Sequence, residues 1–168
     1  IAVGDGPDSI AITPDSKKVY VGNEFSDTVS VIDIATDTVV KTISVGDEPD
    51  SIAISPDGKR AYVTNFASNT VKVIDTESDT VIATVNVGTG PGTIALTRGG
   101  TIAFVLNEDS NNISIVDTID LGNFLAITGG AILKSTSTLP LLQFNPSTLE
   151  IGGNVVSITG SGSKLELA

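Results

Sequence analysis

The chain has 168 residues with 20 acidic and 9 basic side chains, so its net charge is −11, and it contains no Cys and no His. This acidic balance argues against nucleic acid and anionic membrane as partners, because both are bound by clustered Lys and Arg. Without Cys and His, the chain has no thiolate nucleophile, imidazole base or zinc site built on these ligands, and no apolar run approaches the roughly 18 residues of a membrane span.

The chain begins with a repeated unit. Residues 1–42 and 43–84 are identical at 26 of 42 positions without a gap, and residues 85–126 match them more weakly. Each unit has four short apolar–polar alternations separated by turn residues, which predicts an antiparallel meander of four strands. The residues that recur in all three units are Gly4, Gly46 and Gly88; Pro7, Pro49 and Pro91; Asn23, Asn65 and Asn107; and Asp33, Asp75 and Asp117.

The recurring acidic residues stand at predicted turns. In the first repeat the predicted strands are 9–13, 18–23, 28–33 and 38–45, and turns such as Pro56-Asp57-Gly58 separate the strands of the second. Asx and Ser side chains bond nearby backbone amides, and Gly accepts positive φ, so these residues favour sharp reversals. We therefore predict that Asp33, Asp75 and Asp117 occupy equivalent strand ends, act in turns and bind no metal.

One tetrapeptide identifies the repeat. The second unit carries Tyr62-Val63-Thr64-Asn65, the first Tyr20-Val21-Gly22-Asn23, and the third drifts to Phe104-Val105-Leu106-Asn107. Residues 1–118 resemble the YVTN-type β-propeller repeat. The resemblance implies an all-β fold of four-stranded antiparallel blades of 42 residues, in a secreted or cell-surface protein such as the surface-layer proteins. Tyr20, Tyr62 and Phe104 share one register, which predicts that they pack inside or between blades.

The composition changes after residue 118. Residues 119–168 are rich in Gly, Ser, Thr and Leu, yet short alternations continue. Two interpretations stay open for this tail: a degenerate fourth blade, since 168 is four times 42, or a β-solenoid-like segment similar to the repeats of secreted adhesins. The predicted division is thus 1–118 as three blades and 119–168 as a Gly/Ser/Thr/Leu-rich β tail.

Three blades are too few to close a ring, because propellers typically have at least four. We predict that residues 7–117 form three consecutive blades whose edges are covered, so that Ile10, Ile52 and Ile94 are buried. The first choice for the cover is the tail, with residues 164–167 pairing near residues 1–3; a second chain or missing blades of a parent protein are the alternatives. The chain starts inside a blade and at Ile1, which is typical of a processed or excised piece.

These observations predict function by class. The resemblance and the lack of catalytic side chains favour a non-enzymatic, secreted or cell-surface propeller module that serves structure or protein contact, with a protein partner or self-association. We expect no catalytic, cofactor-binding or metal-binding residue, no nucleic-acid partner and no membrane insertion. The alternatives are a ligand-binding propeller with its site at the mouth of the central channel, and a fragment of a larger propeller enzyme.

Overall fold

The fold is built from short antiparallel strands. It is known from a computed structural model, which describes residues 1–118. The strands are β1 (Pro7–Ile12), β2 (Lys18–Asn23), β3 (Thr28–Asp33), β4 (Thr38–Ser44), β5 (Pro49–Ile54), β6 (Arg60–Asn65), β7 (Thr70–Asp75), β8 (Thr80–Asn86), β9 (Pro91–Leu96), β10 (Ile102–Asn107) and β11 (Asn112–Asp117). The one helical segment described, a 3-10 turn at Glu24–Ser26, is far too short to cross a bilayer, and residues 1–118 offer no other candidate for a membrane-spanning helix.

The strands form three meanders, which confirms the predicted all-β fold of antiparallel blades. Sheet order follows chain order in blade 1 (β1 to β4) and blade 2 (β5 to β8), and blade 3 has β9 to β11 among the described residues. The first strands β1, β5 and β9 contact one another in succession, so they form the inner side of an arc of blades. Each inner strand is paired to its neighbour with a bulge near its first residue, after Pro7, Pro49 and Pro91.

The turns have the predicted chemistry. Asp57 Oδ1 accepts hydrogen bonds from Ser55 Oγ at 2.6 Å and from the Lys59 amide at 3.0 Å. Gly58 follows at φ 72°, in the left-handed region that favours glycine. These bonds and the positive charge of Lys59 hold the pKa of the Asp57 carboxyl below its usual value.

The blades pack face to face. The face of a blade that meets the following blade is here its forward face, and the opposite face is its rear face. The forward face of blade 1 (Tyr20, Val29, Val31, Ile43) forms one buried cluster with the rear face of blade 2 (Ile52, Ala61, Val63, Ile74). The forward face of blade 2 (Tyr62, Val71, Val73, Val85) forms another with the rear face of blade 3 (Ile94, Ala103, Val105, Val116). Each junction is thus an apolar layer made by small β-branched side chains and one Tyr.

Two sequence predictions are corrected by the described part of the chain. Ile52 and Ile94 are buried as predicted, but Ile10 is 68% exposed, because blade 1 has no described blade behind it. Tyr20 and Tyr62 are buried as predicted, but Phe104 is 40% exposed, since no described residue covers the forward face of blade 3. Residues 1–3 do not form a strand, and the predicted pairing partner at residues 164–167, like every other prediction on the tail, lies outside the described residues.

The predicted aspartates end equivalent strands: Asp33 ends β3, Asp75 ends β7 and Asp117 ends β11. Asp75 Oδ1 accepts hydrogen bonds from the amide and the hydroxyl of Ser78, both at 2.8 Å, and Asp33 does the same with Thr36 at 2.9 and 3.1 Å. The turn role of these two residues is therefore confirmed. Their lack of metal remains a prediction.

Replacing Asp75 with alanine is expected to lower the free energy of unfolding by about 1 kcal/mol, because two turn hydrogen bonds are lost. The bonds from Ser78 hold the pKa of Asp75 below its usual 3.8. The contribution is present above pH 3.8 and is lost as the pH falls through the lower folded-state value. Urea unfolding at pH 7 and pH 3 measures both effects, with Asp75→Asn, which keeps one acceptor oxygen, as the control; equal losses at both pH values would contradict the assignment.

Candidate functional site

Polar contacts also hold blades 1 and 2 together at one end of their junction. Lys18 Nζ lies 2.7 Å from Asp79 Oδ2 and donates a second bond of 2.8 Å to the carbonyl oxygen of Thr76. Tyr20 donates its hydroxyl proton to Asp79 Oδ1 at 2.5 Å. Burial, the bond to Asp79 and nearby negative charge raise the pKa of Tyr20 far above its usual range, so Tyr20 stays neutral. In the next junction, Arg60 donates to the carbonyl oxygen of Thr118.

A second contact crosses each junction at the opposite end of the blades, and we call it the loop bond. Asp27 Oδ1 accepts a hydrogen bond from the Glu48 amide at 3.0 Å, and Asn69 Oδ1 accepts one from the Gly90 amide at 2.9 Å. Asp27 and Asn69 both have a left-handed backbone conformation, with φ of 55° and 56°. The loop bond therefore joins the β2–β3 or β6–β7 loop of one blade to the loop that precedes the inner strand of the next.

Apolar side chains stay exposed on two blade faces in the described part of the chain. On the forward face of blade 3, Phe104, Leu106 and Ile113 are 40%, 45% and 47% exposed. On the inner strand of the rear face of blade 1, Ile10 and Ile12 are 68% and 57% exposed, whereas Val21 and Ile32 on the same face are buried. These apolar surfaces are the counterparts of the faces that are buried at the two junctions.

Acidic side chains gather where the inner strands begin. A pocket there is lined by Glu24, Glu48, Asp50 and Phe66. Partial burial, and then the negative charges of Asp8 and Glu108, raise the pKa of the Asp50 carboxyl above its usual value. Within residues 1–118, no group of three acidic side chains is arranged to hold a metal ion.

The sequence did not predict this acidic pocket. Its acidic residues come from three separate loops and strands, and only the packing of β1, β5 and β9 side by side brings them together. The equivalent positions of the repeat could have predicted this pocket. Asp8 and Asp50 are equivalent in the repeat, as are Glu24, Phe66 and Glu108. Repeated acids at the same end of an inner strand must converge once the blades form an arc.

Replacing Asp50 with asparagine is expected to raise the melting temperature at pH 7 by about 1–3 °C, because a carboxylate that is costly to ionise in the folded state is removed. A raised folded-state pKa weakens stability as the pH rises through that value, so the gain should vanish below pH 3.8. Asp47→Asn, which removes an exposed charge from the same blade, is the control. A gain that persists at pH 3 would contradict the electrostatic cause.

The comparison with known families is decisive for the fold. The model of the YNCE-like beta-propeller family matches residues 1–101, more than half of the chain. The chain belongs to this family. Its membership agrees with the repeated meander, the face-to-face blade packing and the YVTN-type tetrapeptides.

Solved structures similar to this YNCE-like propeller include enzymes. Hydrazine synthase of Kuenenia stuttgartiensis matches with 29% identity and a TM-score of 0.68, over 71% of this chain and 35% of its own. A Bacteroides fragilis protein proposed to be a 6-phosphogluconolactonase matches with 26% identity and a TM-score of 0.66, over 76% of this chain and 39% of its own. A Desulfotomaculum acetoxidans protein of unknown function matches with 24% identity and a TM-score of 0.62, over 70% and 39%.

The YNCE-like propeller spans well under half of the length of these structures, between 35% and 39%. No curated protein sequence matches the chain. The similarity therefore supports the fold. The ligands and reactions of the longer proteins are properties of those proteins and are not assigned to this chain.

Proposed function

We propose that this YNCE-like propeller is a non-enzymatic module, at the cell surface or outside the cell, that serves structure or protein–protein contact. The observation that carries the proposal is the pair of uncovered blade faces, on which Phe104 and Ile10 are 40% and 68% exposed. Burying an apolar side chain of this size is worth about 1.5–3 kcal/mol. Several such side chains on one flat face therefore favour a protein partner.

The chemistry of the chain supports a contact role over catalysis. The chain has no His and no Cys, and only two Arg. Asp57 and Asp75 are engaged in turns, and Asp79 holds a blade junction. These three carboxylates serve structure, which favours a contact role over acid–base chemistry at their positions.

Cross-linking on intact cells tests the proposal. We expect a reagent that cannot cross the membrane to join the protein to a partner through residues near the two exposed faces. Phe104→Asp (40% exposed) should abolish the product. Ile82→Asp, which changes a comparably exposed residue on the outer strand β8 (50% exposed), should not. Absence of labelling on intact cells, or an equal yield from both variants, would overturn the proposal.

A second candidate function is ligand binding at the mouth of the inner channel. The observation that favours it is the acidic pocket lined by Glu24, Glu48 and Asp50, where partial burial and then nearby negative charge raise the pKa of Asp50. Such a site suits a cationic ligand. A rise in melting temperature with a polyamine such as spermidine, lost in Asp50→Asn and kept in Asp47→Asn, would support this candidate. Equal rises in melting temperature in both variants would mean that spermidine acts by nonspecific charge screening and not at this pocket.

The third reading, a part of a larger propeller enzyme, is favoured by the enzymes among the structural neighbours. Turnover of 6-phosphogluconolactone by the purified chain would support an enzyme. We expect none.

A further inference from the structure

We propose that the partner of the two exposed faces is a second copy of this chain, bound head to tail, so that two arcs of blades close one ring. The forward face of blade 3 in each copy packs against the rear face of blade 1 in the other. This inference names the partner and so rests on the contact role proposed above.

Two hydrogen-bonding groups, one at each end of the arc, have no partner among the described residues. Asn111 is the third member of the series Asp27, Asn69, Asn111, and it has the same left-handed backbone, with φ of 52°. In the first two members the side-chain oxygen accepts the loop bond from the next blade. Blade 3 has no described following blade, and Asn111 Oδ1 has no partner among the described residues.

The donor that matches the Asn111 oxygen is the backbone amide of Gly6, at the start of blade 1. Gly6 is equivalent to Glu48 and Gly90, with φ of 63° against 54° and 64°. Its carbonyl oxygen accepts from the Glu24 amide at 2.7 Å, as the carbonyls of Glu48 and Gly90 accept from Phe66 and Glu108 at 2.8 Å. The loop is therefore preformed, and within residues 1–118 its Gly6 amide has no acceptor. Head-to-tail packing brings Asn111 of one copy to Gly6 of the other.

At the other end of the junction, the residue that donates across each internal junction is replaced in blade 3. Inside the chain, Lys18 and Arg60 donate to the backbone carbonyl oxygens of Thr76 and Thr118 in the next blade. The equivalent residues at the proposed third junction are Ile102 on blade 3 and Ile34 on blade 1. The cationic donor is thus replaced by the apolar Ile102, which lies against the partly exposed Ile34 only when blade 3 is followed by blade 1.

The tail is a poorer match to the forward face of blade 3. One repeat after Pro91, Asn107 and Asp117 the sequence has Leu133, Leu149 and Thr159, so the residues that mark a blade are lost. A second copy, in contrast, presents a genuine blade. The three described blades of two copies give six, which lies within the usual range of about 4–8 for propellers.

The proposed junction is weaker than the internal ones. Phe104 has no hydroxyl group, so the bond that Tyr20 makes to Asp79 has no counterpart with Asp37 of the second copy. Two copies with a charge of −11 each also repel one another. We therefore expect a ring that dissociates on dilution and tightens with added salt.

Sedimentation of paired variants tests the geometry. The wild-type chain should sediment as a dimer, and Phe104→Asp and Ile10→Asp should each be monomeric with unchanged circular dichroism, because both side chains are exposed in the single chain. An equimolar mixture of the two variants should recover dimers. In the mixture, the intact forward face of the Ile10→Asp copy meets the intact rear face of the Phe104→Asp copy. A contact of like faces would not be restored in this way.

The loop bond provides a second readout. Asn111→Ala should weaken the dimer about 25-fold, because the ring has two junctions and each loses one hydrogen bond worth about fivefold. Asn111→Asp should retain it, because Asp27 serves as the acceptor in blade 1. A monomeric wild-type chain, assemblies larger than a dimer, or a mixture that stays monomeric would overturn the closed head-to-tail ring. A monomeric chain that still cross-links to another protein on cells would leave the contact role standing.

Discussion

Replacing Gly46 with alanine is expected to lower the free energy of unfolding by about 2–4 kcal/mol, which combines overpacking with a strained hydrogen bond. A Cβ atom at Gly46 would lie 2.8 Å from Cβ and Cγ of Asn65 and 3.0 Å from Ser68 Oγ. Asn65 is fully buried, and its Oδ1 accepts from the Gly46 amide at 2.9 Å. The Asn65 side chain cannot move away without losing this bond and the one that its Nδ2 donates to the Val63 carbonyl oxygen.

The control for this prediction is Gly99→Ala. The nearest atom to a Cβ there is Thr101 Cγ2 at 3.9 Å, an ordinary contact. Thermal unfolding should show a fall of roughly 5–10 °C for Gly46→Ala, from about 2–4 °C per kcal/mol for a chain of this size. Gly99→Ala should differ little from the wild type. Similar melting temperatures for the two variants would contradict the close Gly–Asn contact.

Replacing Asp79 with alanine is expected to cost about 2–3 kcal/mol, because it leaves Lys18 and Tyr20 without their partner inside the junction of blades 1 and 2. The side chains of Lys18 and Asp79 are 25% and 12% exposed, so solvent replaces the lost bonds only in part. Asp79 also has a left-handed backbone, with φ of 51°, which alanine tolerates poorly.

Asp37→Ala separates these two causes. Asp37 occupies the equivalent turn of blade 1 with φ of 54° but is exposed. Both variants lose the same backbone preference, and only Asp79→Ala loses the contacts across the junction. Urea unfolding should therefore show the larger loss for Asp79→Ala. Equal losses would mean that the contact with Lys18 and Tyr20 adds no stability.

Much of the fold could be predicted from the sequence because the repeat recurs without a gap. The period of 42 residues, the Gly58 turn and the strand-end role of Asp33 and Asp75 all depend on local chemistry, which the sequence displays directly. Burial of Tyr20 and Tyr62 followed from their shared register. Phe104 shares that register but not that environment, because its exposure depends on whether another blade packs against blade 3 and not on its own repeat.

The contacts between blades could not be predicted in the same way. Asp27 resembles any turn aspartate, and only the structure shows that its carboxylate crosses to the amide of Glu48 in the next blade. Likewise, Lys18 and Asp79 lie 61 residues apart, and nothing in the alternation of either strand links them. The pairing of Asn111 with Gly6, on which the proposed ring depends, becomes visible only once the two internal loop bonds are known.

The central claim, that the end faces of the arc are contact surfaces which join two copies, is tested most directly by thiol labelling. The chain has no Cys, so Phe104→Cys and Ile82→Cys each introduce a single thiol, at sites that are 40% and 50% exposed in the single chain. Ile82 stays exposed although blade 2 is covered on both faces, which makes it the reference. We predict that maleimide labels Phe104→Cys much more slowly than Ile82→Cys in concentrated protein, and that the difference disappears on dilution. Equal rates at every concentration would contradict the account.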